Sequence, residues 1–303
     1  MSSMQTPTAA PRILRGLGEI ASAYDVLLCD VWGVVHNGKA AHAAACDALV
    51  RFRRAGGSVV LITNAPRPKA PIFEQLDRLA VPREAFDELV TSGDVTIAFI
   101  AERGEAPLHH IGPERDLALF DALADETGLR PKLVEIDAAG YVVCTGLNHD
   151  DIEAPEDYAD RLAAMRARDL DFISANPDLV VHVGDRMLYC AGALAAEYEK
   201  LGGRVLQAGK PFPPIYARAL ARATALRGGT LDRARVLAIG DAMHTDVQGG
   251  RDAGLDVLFV TSGIHRADLH PDGRLAALEA TALEQFLTGG HAVPTAAIPA
   301  LVW

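Results

Sequence analysis

Residues 236–263 read VLAIGDAMHTDVQGGRDAGLDVLFVTSG, and the fold follows from this stretch. VLAIG is a short, continuous apolar run that stops at Gly240-Asp241. A run without polar alternation reads as a strand buried on both faces, as in a parallel sheet. A polar loop and a helical segment lead to Gly254, and DVLFV opens a second buried run. Strand, loop, helix and strand in succession is the rhythm of an α/β fold.

The same rhythm recurs on either side. YDVLLCDVWGVV (24–35) holds a buried strand ending at Asp30. A helical pattern over Ala41–Arg54 is stopped by Gly56 and Gly57, and SVVLIT (58–63) is a second strand, closing at Thr63-Asn64. Helices are expected at 69–80 and 94–103. The middle of the chain carries strand signals at 107–114, 132–136, 140–146 and 171–183, with helices near 116–128 and 155–168. From Gly192 the alternation resumes with a helix over 192–200, the strand RVLQAG (204–209) and a helix over 213–226. Residues 1–12 read as a disordered tail and 13–24 as a lead-in helix. The Pro-broken AVPTAAIPALVW (292–303) reads as an irregular docking tail. These readings predict an α/β protein. Its parallel-sheet core is made from both ends of the chain (1–90 and 191–303), with a second domain inserted at 91–190.

Composition narrows the function classes. The chain has 303 residues, enough for about two domains. Half of them are hydrophobic and 23% charged, which excludes disorder. Asp and Glu number 40 against 29 Lys and Arg, a net charge of −11. That balance disfavours nucleic acid and anionic membranes as partners, but an anionic metabolite needs only a local positive site. Cys29, Cys46, Cys144 and Cys190 show no metal-ligand spacing and read as reduced, buried thiols. With neither a signal core nor an apolar run near the ~20 residues of a membrane span, the sequence predicts a cytoplasmic protein. Gly16, Gly18 and Gly33 do not form a dinucleotide fingerprint, and no G-x-x-x-x-G-K-[ST] loop is present.

The chemistry-bearing residues fall at strand ends, where α/β folds place ligands. Asp30 closes VLLCD, Thr63-Asn64 closes VVLIT, Gly209-Lys210-Pro211 follows RVLQA, and Asp241 and Asp246 follow VLAIG. Singly, each has a bland explanation as a cap or turn residue. Carboxylates gathered from separate strands repel unless a cation joins them, and hard oxygen ligands favour Mg²⁺. Carboxylates, a magnesium ion, a hydroxyl and a lysine describe a site for a transferring phosphoryl group, with Asp able to act as nucleophile.

The ordered set D-V-W-G-V, L-I-T-N, G-K-P and I-G-D-x-x-x-T-D resembles the haloacid dehalogenase (HAD) superfamily, and more narrowly its class IIA, the NagD-like phosphatases. FISANPD (172–178), CAGAL (190–194) and GKPFPPIYARAL (209–220) extend the similarity over about residues 24–265. The resemblance implies a Rossmann-like core with an inserted cap, Mg²⁺, and hydrolysis of small phosphate monoesters such as sugar phosphates or nucleoside monophosphates. Asp30 would be nucleophile and metal ligand, the Trp32 carbonyl and Asp241 further ligands, and Asp246 a support for the loop or water at the metal. Thr63 and the Asn64 N–H would bind phosphoryl oxygens, and Lys210 would neutralise charge. Asn176, Pro177 and Asp178 resemble the cap's exit turn. A homodimer is permitted by the sequence but not specified by it.

One position departs from the pattern. The phosphatases carry a second Asp two residues after the nucleophile, as general acid and base, and here that residue is Trp32. An indole has one donor and no useful pKa. Losing such help costs about 10²–10⁴-fold in rate. Three readings follow: a slow phosphatase, with His36 as a candidate substitute acid; a phosphometabolite-binding relative with little turnover; or a dehalogenase. The acidic motif GDAMHTD and the type of insert argue against the third. Specificity would rest with the insert, where His109, His110, Arg115, Asn148, His149 and Asp150 show no readable pattern.

Overall fold

The computed structural model describes residues 11–183, 186–272, 278–288 and 292–303, with the backbone alone at 182 and 183. The chain divides into two compact units. One comprises residues 1–62, 79–88 and 219–303, and the other residues 63–78 and 89–218.

In the first unit the strands lie in the order Arg12–Ile13, Ala296–Ile298, Asp256–Val260, Val236–Gly240, Val26–Asp30 and Ser58–Thr63, and each of these neighbouring pairs is parallel. Val26–Asp30 and Val236–Gly240 are buried at every position, as their unbroken apolar runs predict. The chain leaves Val26–Asp30 on one side for Ser58–Thr63 and returns on the other as Val236–Gly240. This reversal is a topological switch point, where the carboxyl ends of parallel strands open a crevice. Ile239 pairs with Cys29 and Ile62 with Asp30. Asp30 and the Gly240-Asp241 turn therefore emerge side by side.

The second unit has its own parallel sheet, in the order Val205–Gln207, Asp171–Ser174, Tyr141–Cys144 and Leu108–Ile111. An antiparallel hairpin, Val180–Val183 with Arg186–Tyr189, is separate from it. Phe172, Tyr158, Leu162, Leu194 and Tyr198 form one buried cluster of this unit. Phe172 and Tyr198 stack with ring centroids 5.3 Å apart, and the Tyr198 hydroxyl donates to the Leu170 carbonyl at 2.7 Å.

Several sequence readings are corrected. The boundary drawn at residue 190 is too early. Helix Ala191–Lys200 covers the sheet of the second unit, and Val205–Gln207 is a strand of that sheet. A βα pair carries the same local signature whichever sheet it joins. The tail expected over 1–12 ends sooner, because Arg12 already pairs with Ala296; residues 1–10 lie outside those described. The lead-in helix is two short 3₁₀ turns, Leu17–Glu19 and Ala21–Ala23. KLVEI makes only an isolated bridge, Leu133 to Leu108. The C-terminal segment is not an irregular tail: Ala296–Ile298 is a buried interior strand between Arg12–Ile13 and Asp256–Val260.

That last placement is testable. Ala297 is fully buried and paired with Phe259 and Ile13. Ala297→Asp puts an unpaired carboxylate inside the sheet and is expected to remove about 3 kcal/mol or more of stability in urea unfolding. An unchanged midpoint would place the C-terminus outside the sheet.

Candidate active site

The first unit gathers Asp30, Asp241 and Asp246. They are only 5%, 6% and 4% exposed, and one carboxylate oxygen from each lies within 4.8 Å of the others. Three negative charges this close, removed from water, raise one another's energy unless a cation neutralises them. Buried hard-oxygen donors of this kind fit Mg²⁺.

The loops around the cluster are shaped by the carboxylates. Asp30 projects from the last position of its strand. Gly33 has φ +86°, and a Cβ there would strike the Asp241 carboxylate, so both conformation and space require glycine. Gly263 approaches the same carboxylate as closely, and the N–H of Ile264 donates to Asp241 Oδ2 at 2.8 Å. Asp246 lies in a single π-helical turn, Met243–Val247. Its Oδ2 accepts from the Ala242 N–H at 3.1 Å, while its own N–H donates to the Ala242 carbonyl at 2.9 Å. Asp246 thus closes its own loop as well as facing the cluster.

Trp32, two residues beyond Asp30, turns its ring onto its own loop. The indole meets His36 edge-to-face, with centroids 5.1 Å apart, and a Cβ on Gly38 would clash with it. His36 is buried, and its Nδ1 accepts from the Gly38 N–H at 3.1 Å. Desolvation, with a smaller effect from His42, pushes its pKa down to about 4. At neutral pH the ring is uncharged and already used as an acceptor, so the reading of His36 as a replacement acid is corrected.

The second unit brings Thr63, Asn64 and Lys210 together; all three are buried. The Asn64 side chain is the clip. Its Nδ2 donates to Asp178 Oδ1 at 2.9 Å and to the Lys210 carbonyl at 3.1 Å. Its Oδ1 accepts from the Lys210 N–H at 2.7 Å. Gly209 leaves room for that oxygen. Asp178 is fixed in turn, its N–H donating to Asn176 Oδ1 at 3.0 Å. The Thr63 hydroxyl accepts from the Ala65 N–H at 3.3 Å. This side-chain role is additional to the backbone N–H expected from the sequence, since its partners lie far along the chain. Ser92, not among the residues expected at the site, has a buried hydroxyl 2.8 Å from the Asn64 carbonyl that also contacts the Ala175 carbonyl. Ser92 opens a helix capped reciprocally by Thr91 and Asp94, and that capping box is visible in the sequence TSGD.

The polar residues singled out in the insert have local partners. His110 Nε2 is 3.0 Å from Thr145 Oγ1, and burial pushes its pKa down to about 4. His109 Nδ1 is 2.8 Å from the Val134 carbonyl. Arg115 pairs with Asp150, Asn148 Oδ1 accepts from Gly112 N–H, and His149 N–H donates to Glu153. All four cysteines are buried and none is in a disulfide. Among the described residues no helix is long and apolar enough to cross a membrane.

Residues 27–125 match a family model described as haloacid dehalogenase-like hydrolase, and residues 207–283 one described as HAD-hydrolase-like. A solved hydrolase of the haloacid dehalogenase-like family from Brucella suis is 46% identical, with TM-score 0.81, covering 95% of this chain and all of that one. The ribonucleotide monophosphatase NagD of Escherichia coli is 28% identical over 80% of this chain and 89% of its own length. The glycerol phosphate phosphatase of Mycobacterium tuberculosis, solved in complex with magnesium, is 25% identical with TM-score 0.63, covering 88% of this chain and 78% of that one.

The Asn64 clip predicts a stability effect. Asn64→Ala removes both donors and the acceptor, leaving the Lys210 N–H and carbonyl without that amide. A loss of about 1–3 kcal/mol is expected in urea unfolding. An unfolding curve superimposable on that of the wild type would deny the clip its role.

Proposed function

Because the chain belongs to the haloacid dehalogenase-like hydrolases, and within them to the class IIA, NagD-like phosphatases, we propose that it hydrolyses a small phosphate monoester through an aspartyl-phosphate on Asp30. The observation that carries this reading is the buried Asp30–Asp241–Asp246 cluster at the switch point of the sheet. The protein is a phosphoric monoester hydrolase with Mg²⁺ as its cofactor. The ion would be held by Asp30, Asp241 and the Trp32 carbonyl, with Asp246 supporting the loop. When bound, it supplies positive charge that lets a carboxylate approach an anionic phosphoryl group.

The residues then divide the work. An Asp30 carboxylate oxygen attacks phosphorus, the bond to the leaving oxygen breaks, and an acyl phosphate forms. The Thr63 hydroxyl and the Asn64 N–H bind phosphoryl oxygens, and Lys210 offsets their charge. Asn64 serves this step indirectly too, since its amide fixes the backbone that bears Lys210. Water then cleaves the acyl phosphate, releasing phosphate and restoring the Asp30 carboxylate. By the family resemblance, choice of the leaving group would rest with side chains of the insert. The relatives point to a small phosphorylated metabolite, of the size range of glycerol phosphate to a nucleoside monophosphate.

Trp32 changes the tempo. Its ring is packed against His36 and beside Gly38 and offers no carboxylate for the leaving group or the water. The enzyme therefore suits leaving groups that need little protonation or carry their own proton. The same observation supports a second reading, a relative that binds a phosphometabolite with magnesium and turns over slowly.

Phosphate release from a panel of monoesters decides between them. We expect release with Mg²⁺, none with EDTA, and none from Asp30→Asn. Binding without release on every substrate, p-nitrophenyl phosphate included, would favour the second reading. Trp32→Asp is expected to raise turnover of alkyl phosphates toward the full value of general acid–base help, about 10²-fold or more, and to change p-nitrophenyl phosphate little. Equal effects on both substrate types, in a variant with an unchanged melting curve, would contradict the missing-acid account.

A further inference from the structure

We propose that His265 is a positioning residue for the carboxylate cluster, its imidazole holding the loop that carries Asp241 and Asp246 at the spacing a divalent cation needs. This rests on the metal reading of the three carboxylates. The backbone leaving strand Asp256–Val260 is tied to the sheet, with Thr261 N–H donating to the Ile298 carbonyl at 3.0 Å and Ser262 N–H to the Pro299 carbonyl at 2.9 Å. Two consecutive residues then reach across to the acidic loop. Ile264 N–H donates to Asp241 Oδ2 at 2.8 Å, and His265 Nε2 accepts from the Met243 N–H at 3.4 Å. Met243 is the first residue of the turn that bears Asp246. N–H groups at the start of a helical turn lack partners within it, and the imidazole supplies one.

The ring is held for that purpose. Accepting at Nε2 places the neutral imidazole's proton on Nδ1, 3.6 Å from the Asp268 carboxylate. Phe286 packs edge-to-face on it at 4.9 Å and Phe259 at 6.0 Å. His265 therefore links an anchored loop to the backbone between two of the three carboxylates. Residues that orient metal ligands from behind are typically worth about 10–100-fold in metal affinity.

The test is Mn²⁺ binding to the purified full-length protein, followed by electron paramagnetic resonance, with Mn²⁺ as the probe and circular dichroism as the check on folding. His265→Phe keeps the aromatic packing and loses the acceptor. His265→Ala loses both, and His265→Gln offers an amide oxygen in place of Nε2. We expect Phe and Ala to weaken Mn²⁺ binding about tenfold or more, Gln to stay within about threefold, and Asp241→Asn to abolish it. Wild-type affinity in a folded His265→Phe would overturn the proposal, because packing alone would then suffice. Should Phe and Ala both fail to fold, a folded His265→Gln weakened more than tenfold overturns it equally. A wild type that binds no Mn²⁺, or an Asp241→Asn that binds normally, would overturn the metal reading and this inference with it.

Discussion

Mutual repulsion among three buried carboxylates is the constraint around which the first unit is arranged. Asp30, Asp241 and Asp246 come from the ends of two neighbouring parallel strands and the turn after the second. Nothing in the hydrophobic core asks for them; a chain that only had to fold would place apolar or small residues there. The surrounding backbone is committed to keeping them in place. Gly33 and Gly263 come within a side chain's width of Asp241, Ile264 donates to it, and Ala242 bonds to Asp246 in both directions. A divalent cation held by these carboxylates would offset their repulsion.

The second unit solves a different problem. In the proposed reaction a lysine and a loop of N–H groups would receive an anion, and they must not collapse on each other. The Asn64 amide does this by bonding to backbone on both sides of Lys210 and to Asp178. An asparagine suits the place because its donor and acceptor sit on one short, planar group. Its side chain is then spent on structure, and in the proposed reaction its backbone N–H and the Thr63 hydroxyl would meet the ligand.

Much of this was legible in the sequence, for physical reasons. VLLCD, SVVLIT, VLAIG and DVLFV are buried on both faces, so their composition alone marks them as strands of a parallel sheet, and the polar residues at their ends stand out by contrast. Long-range pairings were not legible. Asn64 and Asp178 are 114 residues apart, and no local pattern joins them. Ala296–Ile298 hid because a three-residue strand of small and branched residues beside Pro294 and Pro299 looks like a broken tail. Helix Ala191–Lys200 and strand Val205–Gln207 were recognised as elements but assigned to the wrong sheet, since periodicity reports burial and not the partner. His36 was legible as a titratable residue near the nucleophile, but its desolvation was not.

Trp32 gives the account its sharpest consequence. An aspartate nucleophile without a neighbouring general base should form its acyl phosphate from a good leaving group faster than water removes it. Acid quenching of the enzyme during turnover of radiolabelled p-nitrophenyl phosphate, followed by peptide mapping, tests this directly. Label approaching one phosphate per chain is expected, on the peptide containing Asp30. Phosphate release with no label on that peptide, or label on another residue, would contradict it.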